Sequence, residues 1–474
     1  MDNVLNSISA FSDWLWGIPM LIFLVGAGIA LTVRTGFVQF RHFWYIMGQT
    51  LGSIFKKGKG EGTVSPFQAA ATALACTVGA SNIVGVPLAI ALGGPGAVFW
   101  MWVCALIGMA TKFAEITLGI KYRHLNEEGV YVGGYMYYIS EGLPNKKLGS
   151  FLAKIISFCK MCFMPFTIAA QSVSAVQAVE ADPLNIPPIA TGVILTILIG
   201  IVVYGGVKRI AHVTDKLVPI MVIIYLGGAL IVLAVNATAL PGVFGLIFQS
   251  AFTPVAAAGG FAGAGVAAAI RQGMARGTYS TEAGMGSAAT GHAAATTDHP
   301  CRQGFWGIFE VMVSGLVICT MSGLVVMCTD MWTQVSSDMA GTMPSLAFQT
   351  VFGTGIGAAV VAISLLCFVV STMIVQVFYG EKYAEFLFGL RASRAAKFIY
   401  LCSIFLGAIL KLDTIYIFLD LILGIMIFPQ AISLIWMSGQ VAELKNEFFT
   451  DPRYYLKDIA EKRQRKEARK AGKS

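Results

Sequence analysis

Apolar positions in this chain fall in long unbroken runs, without the regular polar alternation of an element that faces water on one side. Runs long enough to cross a ~30 Å hydrocarbon layer as helices lie near 14–33, 66–92, 96–120, 150–179, 187–206, 214–236, 251–275, 304–329, 355–380, 396–412 and 413–437. The pattern predicts eleven spanning helices. Two turn-rich breaks separate neighbouring runs: Gly93-Gly94-Pro95-Gly96, and the stretch from Asp182-Pro183 to Pro187-Pro188. The first run follows Asp2 and Asp13 instead of a basic segment, and Arg34 succeeds it. It therefore reads as a retained span and not as a signal peptide.

Composition agrees. The chain has 474 residues, 56% of them hydrophobic and only 12% charged, with a mean hydropathy of +0.73. Soluble domains carry about 25% charged residues, so an ordinary soluble enzyme and a disordered protein are both excluded. The net charge of +8 would suggest an acidic partner, but its distribution points elsewhere. Of the 33 basic residues, all but Lys411 fall on one side when the spans alternate: Arg34 to Lys59, Lys112 to Lys160, Lys208 to Lys216, Arg271 to Arg302, Lys382 to Lys397, and Lys445 to Lys473. The loops around 180–186, 236–250 and 330–355 hold Glu180, Asp182, Asp330 and Asp338 but no Lys or Arg. The positive-inside rule then places the N-terminus outside and the C-terminus in the cytoplasm of a multi-pass protein of the cell membrane. Nucleic acid is not an expected partner. The basic tail from Glu461 to Lys470 either touches anionic lipid or is simply solvated. The nine cysteines are scattered as small buried hydrophobes, with no zinc or disulfide framework.

Two spans are interrupted. The second contains Ala75-Cys76-Thr77-Val78-Gly79-Ala80-Ser81-Asn82-Ile83-Val84-Gly85, and the seventh contains Ala258-Gly259-Gly260-Phe261-Ala262-Gly263-Ala264-Gly265-Val266. Small, poor helix formers sit there at the depth of the bilayer midplane. Such residues either let helices approach closely or mark an unwound segment, tolerated only where it lines a cavity or is buried in protein. Their spacing favours the second. The breaks lie five spans apart, so each opens a five-helix half, and an odd number of helices inverts one half against the other. Broken first helices in two inverted repeats point to the binding site of a secondary transporter. The chain then divides into an extra helix and linker at 1–60, repeats at 61–240 and 241–440, and a basic tail at 441–474.

Two motifs resemble the alanine or glycine:cation symporters. One is Gly93-Gly94-Pro95-Gly96-Ala97-Val98-Phe99-Trp100-Met101-Trp102, preceded by Thr77 to Gly85; the other is Ala275-Arg276-Gly277-Thr278-Tyr279-Ser280-Thr281-Glu282-Ala283-Gly284-Met285-Gly286-Ser287. The resemblance covers nearly the whole chain. It implies an all-α membrane protein with a LeuT-type five-plus-five inverted repeat behind one extra helix. It also implies sodium-coupled uptake of a small neutral amino acid, with Na+ as coupling ion and no other cofactor, and no enzymatic activity.

A zwitterion leaving water needs its carboxylate and ammonium replaced by protein contacts, and an unwound helix offers free N–H and C=O groups for both. Neither break carries Asp, Glu, Lys or Arg, between Thr72 and Gly96 or between Ser250 and Ile270, as expected for a neutral substrate. The resemblance assigns the carboxylate to Thr77, Gly79, Ala80, Ser81 and Asn82. It gives Gln171 to the substrate's polar groups and Phe166, Phe261, Ala262, Gly263 and Gly265 to the ammonium side and walls. Asn82 and Gln171 could equally serve as interhelical hydrogen bonds. The sodium ligands implied are the carbonyls of Ala75, Val78 and Phe368 and the hydroxyls of Ser371 and Thr372; back-bonding to the preceding turn is the plainer alternative for that pair. Where alanine carriers of the family often place a bulky Trp, this chain has Gln376, which leaves room for glutamine or another polar neutral substrate.

Other polar groups carry less. Lys112 and Glu115 read as a snorkelling ion pair, and His292, Asp298 and His299 as loop residues without metal-ligand spacing. Arg276 and Glu282 suggest an ion pair at the cytoplasmic end. Glu310 is the one acid placed to serve a proton route.

Overall fold

The computed structural model describes residues 14–15, 17–56, 58–180, 185–253, 265–409 and 415–461, with Phe11 and Gln464. After α1 (Ile18–Arg34) and the short α2 (Phe43–Thr50), an interrupted run forms α3 (Pro66–Thr77), α4 (Ala80–Ile83) and α5 (Gly85–Gly93). There follow α6 (Gly96–Lys121), α7 (Tyr135–Gly142), α8 (Lys146–Glu180), α9 (Pro188–Val203) and α10 (Gly206–Val235). The second half holds α11 (Leu240–Phe252), α12 (Val266–Thr281), α13 (Ser287–His292) and α14 (Pro300–Cys328). It continues with α15 (Met343–Phe352), α16 (Thr354–Phe388), α17 (Leu390–Ile409), α18 (Ile415–Trp436) and α19 (Ser438–Thr450). The hairpin of β1 (His124–Leu125) and β2 (Tyr131–Val132) is the only strand pair among the described residues.

By length and composition, six of these helices are long and apolar enough to cross a membrane, or seven when the pair bent by 52° at Met437 counts as one span. The count of eleven is not reached by this measure: among the described residues α1, α9 and α11 are shorter apolar helices, and the run α3–α5 is interrupted. The largest departure is the seventh. Sequence placed one span at 251–275, whereas the structure has half-helices at 240–252 and 266–281, with 254–264 outside the described residues. The upstream half begins with Pro241 at its first turn, a position where proline's missing N–H costs nothing.

Local chemistry sets the ends that matter. Ser65 caps α3: its Oγ accepts the Gln68 amide at 3.2 Å while Gln68 Oε1 accepts the Ser65 amide at 3.1 Å, with Pro66 at the first helical position. The turn into α6 runs through Gly94 at φ 74°, where a side chain would be strained. Beyond it, a Cβ on Gly96 would lie 2.4 Å from the Ser250 carbonyl oxygen, so α6 and α11 touch backbone to backbone. α9 and α10 expose Ile197, Leu198, Ile201, Ile223, Leu230 and Ile231, an outward apolar face suited to lipid. The interior is built around α3, α6, α12, α14 and α16.

Candidate functional site

α3 stops at Thr77 because Val78 (φ −90°, ψ 89°) and Gly79 (φ −127°, ψ −161°) leave the helical basin. In a continuous helix the Gly79 amide would close on the Ala75 carbonyl. Here it donates to Asn82 Oδ1 at 3.0 Å. The Asn82 side-chain amide then reaches the carbonyls of Ser280 on α12 and Ser314 on α14, each at 3.4 Å, and Asn82 is fully buried. Ser314 belongs to a π-register segment, Met312–Ile318, of the kind often found at functional sites. Asn82 thus staples the break to two other helices. Among the described residues, no acceptor takes the Ala80 or Ser81 amide, which leaves two donors at the start of the downstream half-helix.

The freed Ala75 carbonyl has new partners. It accepts Thr372 Oγ1 at 3.0 Å and Ser371 Oγ at 3.3 Å, both from α16. The same hydroxyls reach the Phe368 carbonyl at 2.8 and 2.9 Å. Back-bonding within α16 is therefore present, but so is a contact across to the break that it does not explain. The Ala75 and Phe368 carbonyls and the Ser371 and Thr372 hydroxyls crowd one point, in residues at most 1% exposed. Each hydroxyl has one proton for two carbonyls, so lone pairs outnumber donors at this point, and a small hard cation is what such a cluster accommodates. A Cβ on Gly79 would fall 3.0 Å from Thr372 Oγ1, so glycine lets the break lie this close to α16. Val78, the fifth expected ligand, is buried three residues on and makes none of these contacts.

The other expected residues are placed as follows. Thr77 is buried and its hydroxyl donates to the Ala73 carbonyl at 2.9 Å. Ser81 Oγ lies 3.5 Å from Asn82 Oδ1. Gln171 on α8 and Gln376 on α16, two helices packed along one another, each bury a side-chain carbonyl oxygen without a partner. Phe166 exposes its ring. Gly265 caps α12, accepting the Ala268 amide at 2.8 Å. Phe261, Ala262 and Gly263 lie outside the described residues. Beyond the break, a cavity of about 920 Å³ runs past Val84 between the end of α8 (Ser174, Gln177) and α15 (Ser345, Gln349). Among the described residues, none that lines it is ionisable.

On the opposite side of the break the structure holds what the sequence did not disclose. Lys112 and Glu115 are fully buried and are not a snorkelling pair. Lys112 Nζ donates to the Thr281 carbonyl at 2.9 Å, and Glu115 Oε1 accepts the Gly286 amide at 2.9 Å. Lys160 donates to the Met285 carbonyl. Glu282 accepts Ser287 Oγ at 2.6 Å and lies 3.4 Å from Cys76 Sγ, one residue from the Ala75 carbonyl; it does not pair with Arg276. His292 is buried as well, 2.5 Å from Glu310. The second motif, 275–287, thus runs from the last turns of α12 into a loop, and both are pinned from inside by side chains of α6 and α8. Its only linear signal was ionisable residues inside apolar runs.

Comparison with known proteins bears on this geometry. The sequence profile described as the sodium:alanine symporter family matches residues 1–462. The transporter YflA of Bacillus subtilis is 47% identical over 467 residues, covering 98% of each chain. The sodium/alanine symporter AgcS of Methanococcus maripaludis is 37% identical over 450 residues, covering 94% of this chain and 97% of its own. The probable sodium/glutamine symporter GlnT of Bacillus subtilis is 34% identical over 452 residues, covering 93% and 90%. Among solved structures, MhsT in complex with L-phenylalanine superposes with a TM-score of 0.59 at 14% identity, over 81% of this chain and 99% of that one. The interrupted helices, the oxygen cluster between α3 and α16 and the match along the whole chain lead to one conclusion: this protein belongs to the sodium:alanine symporter family, a sodium-coupled amino-acid symporter of LeuT-type fold embedded in the membrane, and not an enzyme.

Proposed function

We propose that the substrate is a small neutral amino acid, alanine or glycine, taken up together with Na+. The observation that carries this reading is the Ala75 carbonyl, released by the break and gripped by Ser371 and Thr372 of α16. Sodium at that point ties α3 to α16 while the Ala80 and Ser81 amides, five and six residues further on, face a carboxylate. One bound ion therefore orders the segment that receives the substrate. No fixed charge is required, because the zwitterion and the break satisfy each other with backbone dipoles. The side carrying the basic loops is the cytoplasm, and the uncharged cavity past Val84 is the outer approach.

The driving force fits accumulation. One sodium falling through ~100 mV yields about 2.3 kcal/mol, and a tenfold gradient adds about 1.4 kcal/mol. Together they support roughly 500-fold accumulation at most.

A second reading, glutamine or another polar neutral amino acid, is favoured by Gln376 and Gln171, whose buried carbonyl oxygens have no partner and would accept a substrate amide. The likeness to a probable sodium/glutamine symporter supports it too. Uptake of labelled alanine, glycine and glutamine into proteoliposomes, with and without a sodium gradient, separates the two. Sodium-driven accumulation of alanine or glycine with weak glutamine uptake is expected. Accumulation indifferent to sodium would sink the coupling, and glutamine dominance would select the second substrate.

A further inference from the structure

α2 is too short to cross a membrane: its eight residues rise only about 12 Å. Its inner face is packed, with Ile46, Met47 and Thr50 buried and the Tyr45 ring against Phe305 and Phe449. Its outer face is not. Phe40, Trp44, Leu51 and Phe55 are exposed, Trp44 and Phe55 almost wholly so. This stripe continues, through Phe37 at the turn, the outward face of α1, where Ile22, Ile29 and Val33 are exposed. In a membrane-embedded chain lipid covers the face of α1, and the same cover extends over α2. A short amphipathic helix flanked by Arg41, Lys56 and Lys59 lies along the headgroup layer.

A cavity of about 350 Å³ opens on this face, within the size range of small-ligand sites. Gly48, which lines it, stands between Trp44 and Leu51 at helix spacings of four and three residues. A Cβ on Gly48 or Gly52 would meet nothing within 4 Å, so glycine there leaves the mouth clear. The charged lining has two signs. Lys56 and Lys59 stand on the linker side, and Arg302, Asp458 and Glu461 on the side of α14 and the C-terminal segment. Arg302 is shared between Asp298 at 2.7 Å and Asp458 at 2.8 Å, so the second side is net negative. The donors that reach Asp458 from Tyr45, Gln49 and Arg302 all go to Oδ2, which leaves Oδ1 for another. We propose that this cavity binds the phosphoethanolamine headgroup of a membrane phospholipid. Lys56 and Lys59 take the phosphate, Asp458 and Glu461 take the ammonium, and the acyl chains lie over Trp44, Leu51 and Phe55. A headgroup with only negative charge would be repelled by Asp458 and Glu461. A choline headgroup carries no N–H and gives up the charge-assisted hydrogen bonds. The bound lipid joins α2, the start of α14 and the C-terminal segment.

The test is binding of lipid to the full chain and does not involve transport. The purified protein, stripped of lipid, is reloaded with dioleoyl phosphatidylethanolamine, phosphatidylcholine or phosphatidylglycerol and weighed by native mass spectrometry. One ethanolamine lipid should be retained, about tenfold or more tightly than the choline lipid, the difference expected for a lost charge-assisted hydrogen bond. This comparison uses the unaltered chain and needs no variant to fold. Lys56→Glu combined with Lys59→Glu should abolish that retention, and Gly48→Leu should do so by filling the mouth, whereas Lys59→Arg should keep it. Equal retention of the ethanolamine and choline lipids would overturn the proposal. So would phosphatidylglycerol held as tightly as the ethanolamine lipid, which would mean that phosphate alone is read. Undiminished retention in both the double lysine variant and Gly48→Leu would place the lipid elsewhere and overturn it as well.

Discussion

At the residue scale, the proposed sodium coupling turns on one displaced hydrogen bond. Because Asn82 takes the Gly79 amide, the Ala75 carbonyl turns to α16, and the hydroxyls of Ser371 and Thr372 hold it there. Thr372→Val keeps the shape and removes one oxygen. Losing a partner from a buried polar group costs about 1–3 kcal/mol, so the sodium concentration for half-maximal uptake should rise by roughly 5- to 150-fold. Substrate uptake should recover at high sodium; an unchanged sodium dependence would remove Thr372 from the ion site. Gln376→Trp should narrow the substrate range and depress glutamine competition more than alanine competition. An unchanged competition profile would show that position 376 does not set selectivity. The residues of the oxygen cluster were named in advance from resemblance to a family, since Ser-Thr in an apolar run is equally compatible with ordinary back-bonding. What no linear pattern discloses is that Cys76 lies against Glu282, 206 positions away, or that Lys112 and Glu115 look inward.

At the scale of elements, the tail is a brace. α19 and the residues after it pack Phe448 among Tyr45, His299, Phe305 and Tyr454. Asp458 Oδ2 accepts the Tyr45 hydroxyl at 2.7 Å, Gln49 at 3.1 Å and Arg302 at 2.8 Å. The interface therefore joins α2, the start of α14 and the C-terminal segment. Burial lowers the pKa of His299 below its ordinary value of 6.5, outweighing the pull of Glu447 and Asp298. With the segment undocked, His299 binds a proton that it refuses in the docked state, so docking is fully stable above about pH 6.5 and weakens as pH falls. Hydrogen-exchange protection factors across Ser438–Leu456, corrected for the intrinsic rate at each pH, should fall at acid pH, and His299→Gln should remove that fall. The elements themselves were largely legible, because long apolar runs admit few alternatives. The run 240–252, read from the sequence as part of a loop, is apolar and forms a helix of its own, and its close contact with α6 at Gly96 and Ser250 is seen only in the fold.

At the scale of the whole molecule, the basic residues sort the loops into two sets, and the proposed orientation follows from that sorting. Single cysteines introduced at Ser336 and Lys457, in a background lacking reactive native thiols, should label with a membrane-impermeant maleimide from outside and only after permeabilisation, respectively. The reverse pattern would invert the topology. The same asymmetry has a kinetic consequence. Among the described residues the lining of the 920 Å³ cavity beside Val84 is uncharged, so that lining does little to gather ions or steer charged solutes. A zwitterion without net charge would reach that lining by diffusion alone. First-order uptake of the neutral substrate should be insensitive to ionic strength when sodium is held constant and an inert salt is varied; a steep fall would show that charge at the mouth concentrates the coupling sodium.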